Sequence, residues 1–157
     1  MDIDVEQTVR EFIDKTIHLS LATTTGTAPW VCEVHFAYDD NLNLYFRSLK
    51  ERRHSQEIAA NPHVAGNIID KYEAGAKVVG VYFEGTTELL PAGPDQDLAA
   101  ECLKRRLGIE TNIVEEASHE GGHQFYKISV ANWYVFGRFG ADKGQKYKLE
   151  WNAGGNE

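Results

Sequence analysis

Five residues in the stretch 42–62, LNLYFRSLKERRHSQEIAANP, suit an anion: Arg47, Ser48, Arg52, Arg53 and His54. A guanidinium meets a phosphate through two parallel charge-assisted hydrogen bonds, so Arg47, Arg52 and Arg53 together neutralise a phosphate monoester bearing nearly two charges. His54 is the weaker partner, either titrating near neutral pH or held neutral by a hydrogen bond. Residues 42–46 alternate apolar and polar, the period of a half-buried strand, and residues 52–60 have helical spacing. Arg47 and Ser48 then end a strand, and Arg52, Arg53 and His54 open a helix. Unpaired backbone N–H groups and the helix dipole favour an anion there. A solvated basic turn would carry the same residue types, so the rest of the chain has to decide between the two.

Other reactive side chains are more dispersed. Cys32 is a candidate redox thiol, although a free cysteine in a strand ordinarily packs as a small hydrophobe. His18 and His35 fall on predicted strands and read as satisfied barrel residues, with His35 also a candidate cofactor contact. The segment 115–123, EEASHEGGH, gathers carboxylates and histidines. Gly121 and Gly122 would break any helix that aligned them, so it reads as a polar loop and no metal site is expected. No triad or carboxylate pair for hydrolysis stands out, and no catalytic residue is assigned.

The elements that must position these groups follow from periodicity. Residues 4–15 place Val5, Val9, Phe12 and Ile13 on one helical stripe. Residues 17–23 and 30–38 alternate around a glycine-containing turn, and with the strand that begins at Leu42 they predict two consecutive hairpins in a meander. A strand is expected over 63–70, a loop over 71–76, and a long strand over 77–90 with bulges or a bend at Gly80 and Gly85. After Pro91, Asp95 is the expected N-cap of a helix that turns Leu98, Cys102 and Leu107 to the core. Lys104, Arg105 and Arg106 suit its C-terminus. Residues 124–136 form the last long strand, and Trp151 should fix the end of a glycine-rich tail. About six strands with flanking helices make an α+β fold, a small antiparallel split β-barrel forming one domain over 1–157.

Composition narrows the function. The 157 residues carry a net charge of -8, which opposes nucleic-acid backbones and isolates the basic clusters at 50–54 and 104–106 as local features. Two cysteines far apart suggest free thiols and a cytoplasmic protein. The acidic N-terminus has no leader pattern and no apolar run is long enough to span a membrane, so no membrane role is expected.

The run LATTTGTAPWVCEVHFAYDDNLNLYFRSLKERRHSQEIAANPHVAG, continued in VVGVYFEGTTELL, resembles the flavin-binding split barrels related to pyridoxamine 5'-phosphate oxidase. The likeness rests on order and spacing: an Ala-Thr strand, a Gly-x-x-Pro turn, an acidic turn, a Leu-Tyr-Phe strand, a basic turn-helix and Asn-Pro-x-Val. Within the family the chain resembles an uncharacterised bacterial branch, through Trp30-x-Cys32, Arg53-His54, Val64-Ala65-Gly66 and Gly80-Val81-x-Phe83. The resemblance implies FMN, or alternatively a deazaflavin or haem, held between the subunits of a homodimer and acting on a small conjugated substrate as an oxidoreductase. A non-enzymatic flavin or haem carrier or sensor is the alternative it leaves. It implies a phosphate clamp at Arg53 and His54 with the strand-end pair Arg47 and Ser48. It also implies a flavin-lining segment through Cys32, Glu33, Val34 and His35, and a late aromatic, Trp133, that reaches the cofactor unless it is a core tryptophan. Departures exclude vitamin B6 chemistry. The oxidase places an Arg and a Lys where this chain has Cys32 and Ala37, its Gln falls on Gly80, and its Arg-x-His motif is absent.

Overall fold

A computed structural model of the chain describes residues 3–70, 73–75, 79–139 and 143–152. In chain order its elements are α1 (Val5–Ile13), β1 (His18–Thr24), β2 (Pro29–His35), β3 (Ala37–Tyr38), β4 (Leu44–Ser48) and α2 (Arg53–Ala60). Then follow β5 (His63–Ile68), β6 (Gly80–Leu90), α3 (Pro94–Leu107), α4 (Ile113–Ser118), β7 (Gln124–Gly137) and β8 (Gln145–Glu150). The expected loop over 71–76 and the first residues of the strand expected from 77 lie partly outside the described residues.

One antiparallel sheet runs in the order β2-β1-β5-β6-β7-β4-β3, and β8 pairs with β7 off that path. β2 and β3 are neighbours in sequence yet stand at opposite edges. Only Phe36 separates them; it is fully buried, and its N–H donates to the Ile17 carbonyl at 2.8 Å. The chain thus crosses from one edge to the other, and the sheet curls into a split barrel with helices around it. The α+β split-barrel expectation holds, with two corrections. The strand expected over 30–38 is two strands bent at Phe36, and the hairpins β1–β2 and β3–β4 lie on opposite sides of the sheet instead of side by side. Eight strands are present among the described residues where about six were expected, because β3 is separate and β8 was read as tail.

The barrel interior is filled by Leu19 and Leu21 of β1, Phe46 of β4, Val81 and Phe83 of β6, and Ile128, Val130, Trp133 and Val135 of β7. Val130 and Trp133 are an odd number of residues apart and still face the same interior. The register slips between Glu84 and Gly85, so Ala131 bulges and the alternation of β7 changes phase. Gly80 is paired in register with Phe136, so the bulge lies at Gly85 alone of the two glycines. Helix α1, capped by the Asp4 carboxylate accepting from the Gln7 N–H at 3.0 Å, lays Val9, Phe12 and Ile13 into the same core.

A second cluster joins α3 and α4 to the sheet through Ala99, Ala100, Leu103, Ile113, Tyr45 and Phe125. Pro94 opens α3 after Gly93, so Asp95 lies in the first turn and not at the cap. Its buried face is Gln96, Ala99, Ala100, Cys102 and Leu103, whereas Leu98 is 41% exposed. Arg106 leaves the end of α3 to donate to the carbonyls of Ile13 and Thr16, with its guanidinium over Phe36 and Tyr38 at 5.1 and 4.9 Å. Trp151 fixes the end of β8: its indole N–H donates to the Asn41 carbonyl at 2.7 Å. No helix among the described residues is long and apolar enough to cross a membrane.

Candidate functional site

Strand β4 delivers Arg47 and Ser48 to one end of a cleft of about 900 Å³, and α2 begins beside them. Arg52 is the N-cap of α2. An arginine has no side-chain acceptor, so no side chain caps this helix, and its first turn holds no acidic residue. The dipole and the unpaired N–H groups of α2 therefore open next to Arg47, Ser48 and Arg52. His54 is turned inward, nearly buried, and shares a 2.7 Å hydrogen bond between Nε2 and Ser48 Oγ. Burial first, and then the Arg52 guanidinium, push its pKa below the ordinary histidine value, with Glu57 partly opposing. The ring is neutral at neutral pH. Among the described residues no carboxylate pairs with His54, so Ser48 and His54 lack the orienting group of a nucleophile–base pair.

The opposite wall is β2, which presents Glu33, Val34 and His35 to the same cleft, with His18 and Ser20 of β1 beside them. Glu33 accepts from the Ser20 hydroxyl and lies 3.2 Å from His18 Nδ1. This pairing was legible in principle. In a hairpin turning at residues 26–27, cross-strand partners are fixed by counting outward, which puts Ser20 opposite Glu33 and His18 opposite His35. Leu103, Leu107 and Ile109 form an apolar side that α3 and its C-terminal turn supply.

The segment read as a polar loop is partly the short helix α4, capped by the Asn112 side chain accepting from the Glu115 N–H at 3.1 Å. It brings Glu116 to Arg47, with Oε2 3.3 Å from Nη1, while Oε1 accepts from the His123 N–H at 2.9 Å and meets its ring Nδ1 at 3.0 Å. His123 itself lines the cleft. Six residues are too few to show a helical period, so only the Asn112-x-x-Glu115 spacing could have signalled α4. Among the described residues no group of three or more His, Cys, Asp or Glu is placed to hold a metal ion.

Seven of the ten candidates thus line one cleft: Arg47, Ser48, Arg52, His54, Glu33, Val34 and His35. Three do not. Arg53 turns outward, with its guanidinium 4.2 Å from the Trp30 ring and Nε 3.5 Å from Glu57 Oε1. Cys32 packs against the barrel core, and its thiol is pushed up by burial and by the Glu33 and Glu57 carboxylates, which keeps it protonated. Trp133 lies fully inside the barrel, tilted against Phe83 with ring centroids 5.8 Å apart, and its indole N–H has no hydrogen-bond partner among the described residues.

A model of the pyridoxamine 5'-phosphate oxidase family matches residues 5–137. A UPF0306 protein of Yersinia pseudotuberculosis serotype O:3 (strain YPIII) is 24% identical over 98 residues, 62% of this chain and 67% of the relative. Among solved structures, a heme binding protein from Mycobacterium smegmatis matches with a TM-score of 0.77 at 15% identity over 98% of this chain. This chain spans 60% of that neighbour's length. A putative 5-nitroimidazole antibiotic resistance protein from Bacteroides thetaiotaomicron VPI-5482 matches with a TM-score of 0.70 at 16% identity over 87% of each chain. At such identities these structures share a fold with the chain, and the fold is the split barrel.

Proposed function

This chain belongs to the pyridoxamine 5'-phosphate oxidase family, and from that premise we propose that it is an FMN-binding oxidoreductase domain that works as a homodimer on a small conjugated substrate. One observation carries the reading. Arg47, Ser48, Arg52 and the uncapped start of α2 converge at one end of a cleft whose volume, about 900 Å³, is of the size that takes a drug-sized ligand.

The donor set fits a flavin phosphate. Two guanidiniums, a hydroxyl and helix N–H groups are all donors, so a phosphate monoester finds only complementary partners among them. His54, neutral and bonded to Ser48, orients that hydroxyl and adds no charge. Glu33 and His35 on the exposed face of β2, with the backbone of Val34 between them, offer groups to a flat ring, while Leu103, Leu107 and Ile109 exclude water from the cleft's apolar side. When bound, FMN would supply the electron transfer, and these residues bind it, orient it and shield it. The homodimer rests on the family and on the open edge of β2, where Trp30 and Val31 are 40% and 60% exposed.

A second reading, a haem carrier or sensor, draws support from the histidines His18, His35 and His123 on the cleft and from the heme binding protein of the same fold. His54, nearly buried and bonded to Ser48 through Nε2, is the least accessible histidine of the cleft.

The absorption spectrum and the mass of the ligand released from purified protein separate these readings, and distinguish FMN from a deazaflavin. FMN is expected, bound more tightly than riboflavin, and Arg52→Ala should weaken FMN by about 1.5–3 kcal/mol while leaving riboflavin nearly unchanged. A Soret band in protein that does not take up FMN would replace the flavin reading with the haem one.

A further inference from the structure

The anionic partner of Arg47 is already present in the chain. Glu116 hangs from His123 by Oε1, through the 2.9 Å bond to the main-chain N–H and the 3.0 Å contact to the ring, and reaches Arg47 only with Oε2, at a longer 3.3 Å. Its position is set by the fold. Ile113 and Ala117 are buried and anchor α4, and the Gln124 side chain donates to the carbonyls of Ala117 and Gly122, tying down the turn that joins Glu116 to His123. The carboxylate is charged at neutral pH. Burial opposes the charge, but the His123 bonds and the Arg47 guanidinium together hold its pKa below the usual carboxylate value.

We propose that Glu116 is a specificity-determining residue of the cleft, an internal counter-anion that a ligand's phosphate must displace from Arg47, and that it thereby sets how far the cleft prefers a phosphorylated ligand over its unphosphorylated form. The inference rests on the reading of the cleft as a phosphate site. Displacement is easy because Glu116 keeps two of its three partners when Arg47 leaves, so no buried charge is stranded. It is not free of cost: the pair with Arg47 is lost, and the displaced carboxylate still repels the phosphate. A ligand without a phosphate has no claim on Arg47 and meets neither cost. The wild-type preference for the phosphorylated form is therefore smaller than Arg47, Arg52 and the start of α2 could give alone. The phosphate end of the ligand is held exchangeably, because the same carboxylate is ready to take Arg47 back when the ligand leaves.

The test compares FMN and riboflavin binding, by flavin fluorescence or calorimetry, to the full chain and three variants. Glu116→Gln keeps an acceptor for His123 and removes the charge; it should tighten FMN by about threefold to tenfold and leave riboflavin unchanged. Glu116→Asp, which keeps the charge and draws it back by one methylene, should tighten FMN less. Glu115→Gln removes the same charge from the adjacent residue and should have the smallest effect. An FMN affinity unchanged or weakened in Glu116→Gln, or tightened equally by Glu115→Gln, overturns the proposal, as does riboflavin gaining as much as FMN. Those outcomes leave the phosphate cleft standing. A wild-type protein that binds FMN no better than riboflavin instead removes the phosphate reading, and this inference with it.

Discussion

His54 shows how one side chain links the cleft to the stability of the fold. Its ring is inside, bonded to Ser48, and burial together with Arg52 lowers its pKa in the folded chain below the 6.5 of a free histidine. Below pH 6.5 the unfolded chain therefore takes up a proton that the folded ring resists, and stability rises with pH through that window. The contribution is complete above 6.5 and is lost as pH falls through the lowered folded value. Urea unfolding at pH 7.5 and 5.5 should show a drop for the wild type that is smaller in His54→Gln, with the variant losing about 1 kcal/mol at the higher pH from the weakened Ser48 bond. Equal drops would mean that other groups carry the acid sensitivity. Arg53, next in the chain, teaches the complementary lesson. Residue type and sequence position mark it as a phosphate ligand as strongly as Arg52, yet Arg52 at the N-cap has extended backbone while Arg53 is the first helical residue, so their side chains leave the chain in different directions. Arg52 lines the cleft, and Arg53 lies on Trp30.

At the scale of elements, the bulge on β6 and β7 decides which side chains enter the barrel. A Cβ on Gly85 would lie 2.1 Å from the Ser129 carbonyl oxygen, a backbone atom that cannot swing aside. Gly85→Ala should cost about 1–3 kcal/mol, read as a lower urea midpoint, because either the bulge or the packing of Val130 and Trp133 must give. An unchanged midpoint would mean the two strands can part there at no cost. The glycine was visible in the sequence as a bulge signal, and so were most strands and α1, because their apolar residues recur with a clear period. What was not legible lacked a period or took its stability from elsewhere. β8 has only Tyr147 and Leu149 to mark it and exists by pairing with β7. The break at Phe36 leaves the alternation of 30–38 intact, since the chain changes partners there without changing its pattern. Of the site, the basic end was readable from residue types. The Glu33 wall depended on hairpin register, and Glu116 depended on a fold that brings residues 47 and 116 together.

At the scale of the whole molecule, the free edge of β2 bears on assembly. This strand has β1 on one side and no strand on the other among the described residues, and its outer residues Trp30 and Val31 are large and exposed. Tyr45 of β4, by contrast, is buried under α3 and needs no partner. Light scattering at micromolar concentration is expected to give twice the chain mass, and a monomer that still binds flavin would sink the homodimer. The strand order also has a consequence in time. β4 ends at Ser48 and takes β7, which begins at Gln124, as its inner neighbour. At roughly 5–20 residues per second, the ribosome delivers that neighbour on the order of several seconds after β4 has been made. Until then Leu44, Tyr45 and Phe46, all buried in the finished fold, have only the two-residue β3 beside them. The nascent chain thus carries an apolar strand early and unpaired, and has to be kept from other chains until the last long strand arrives.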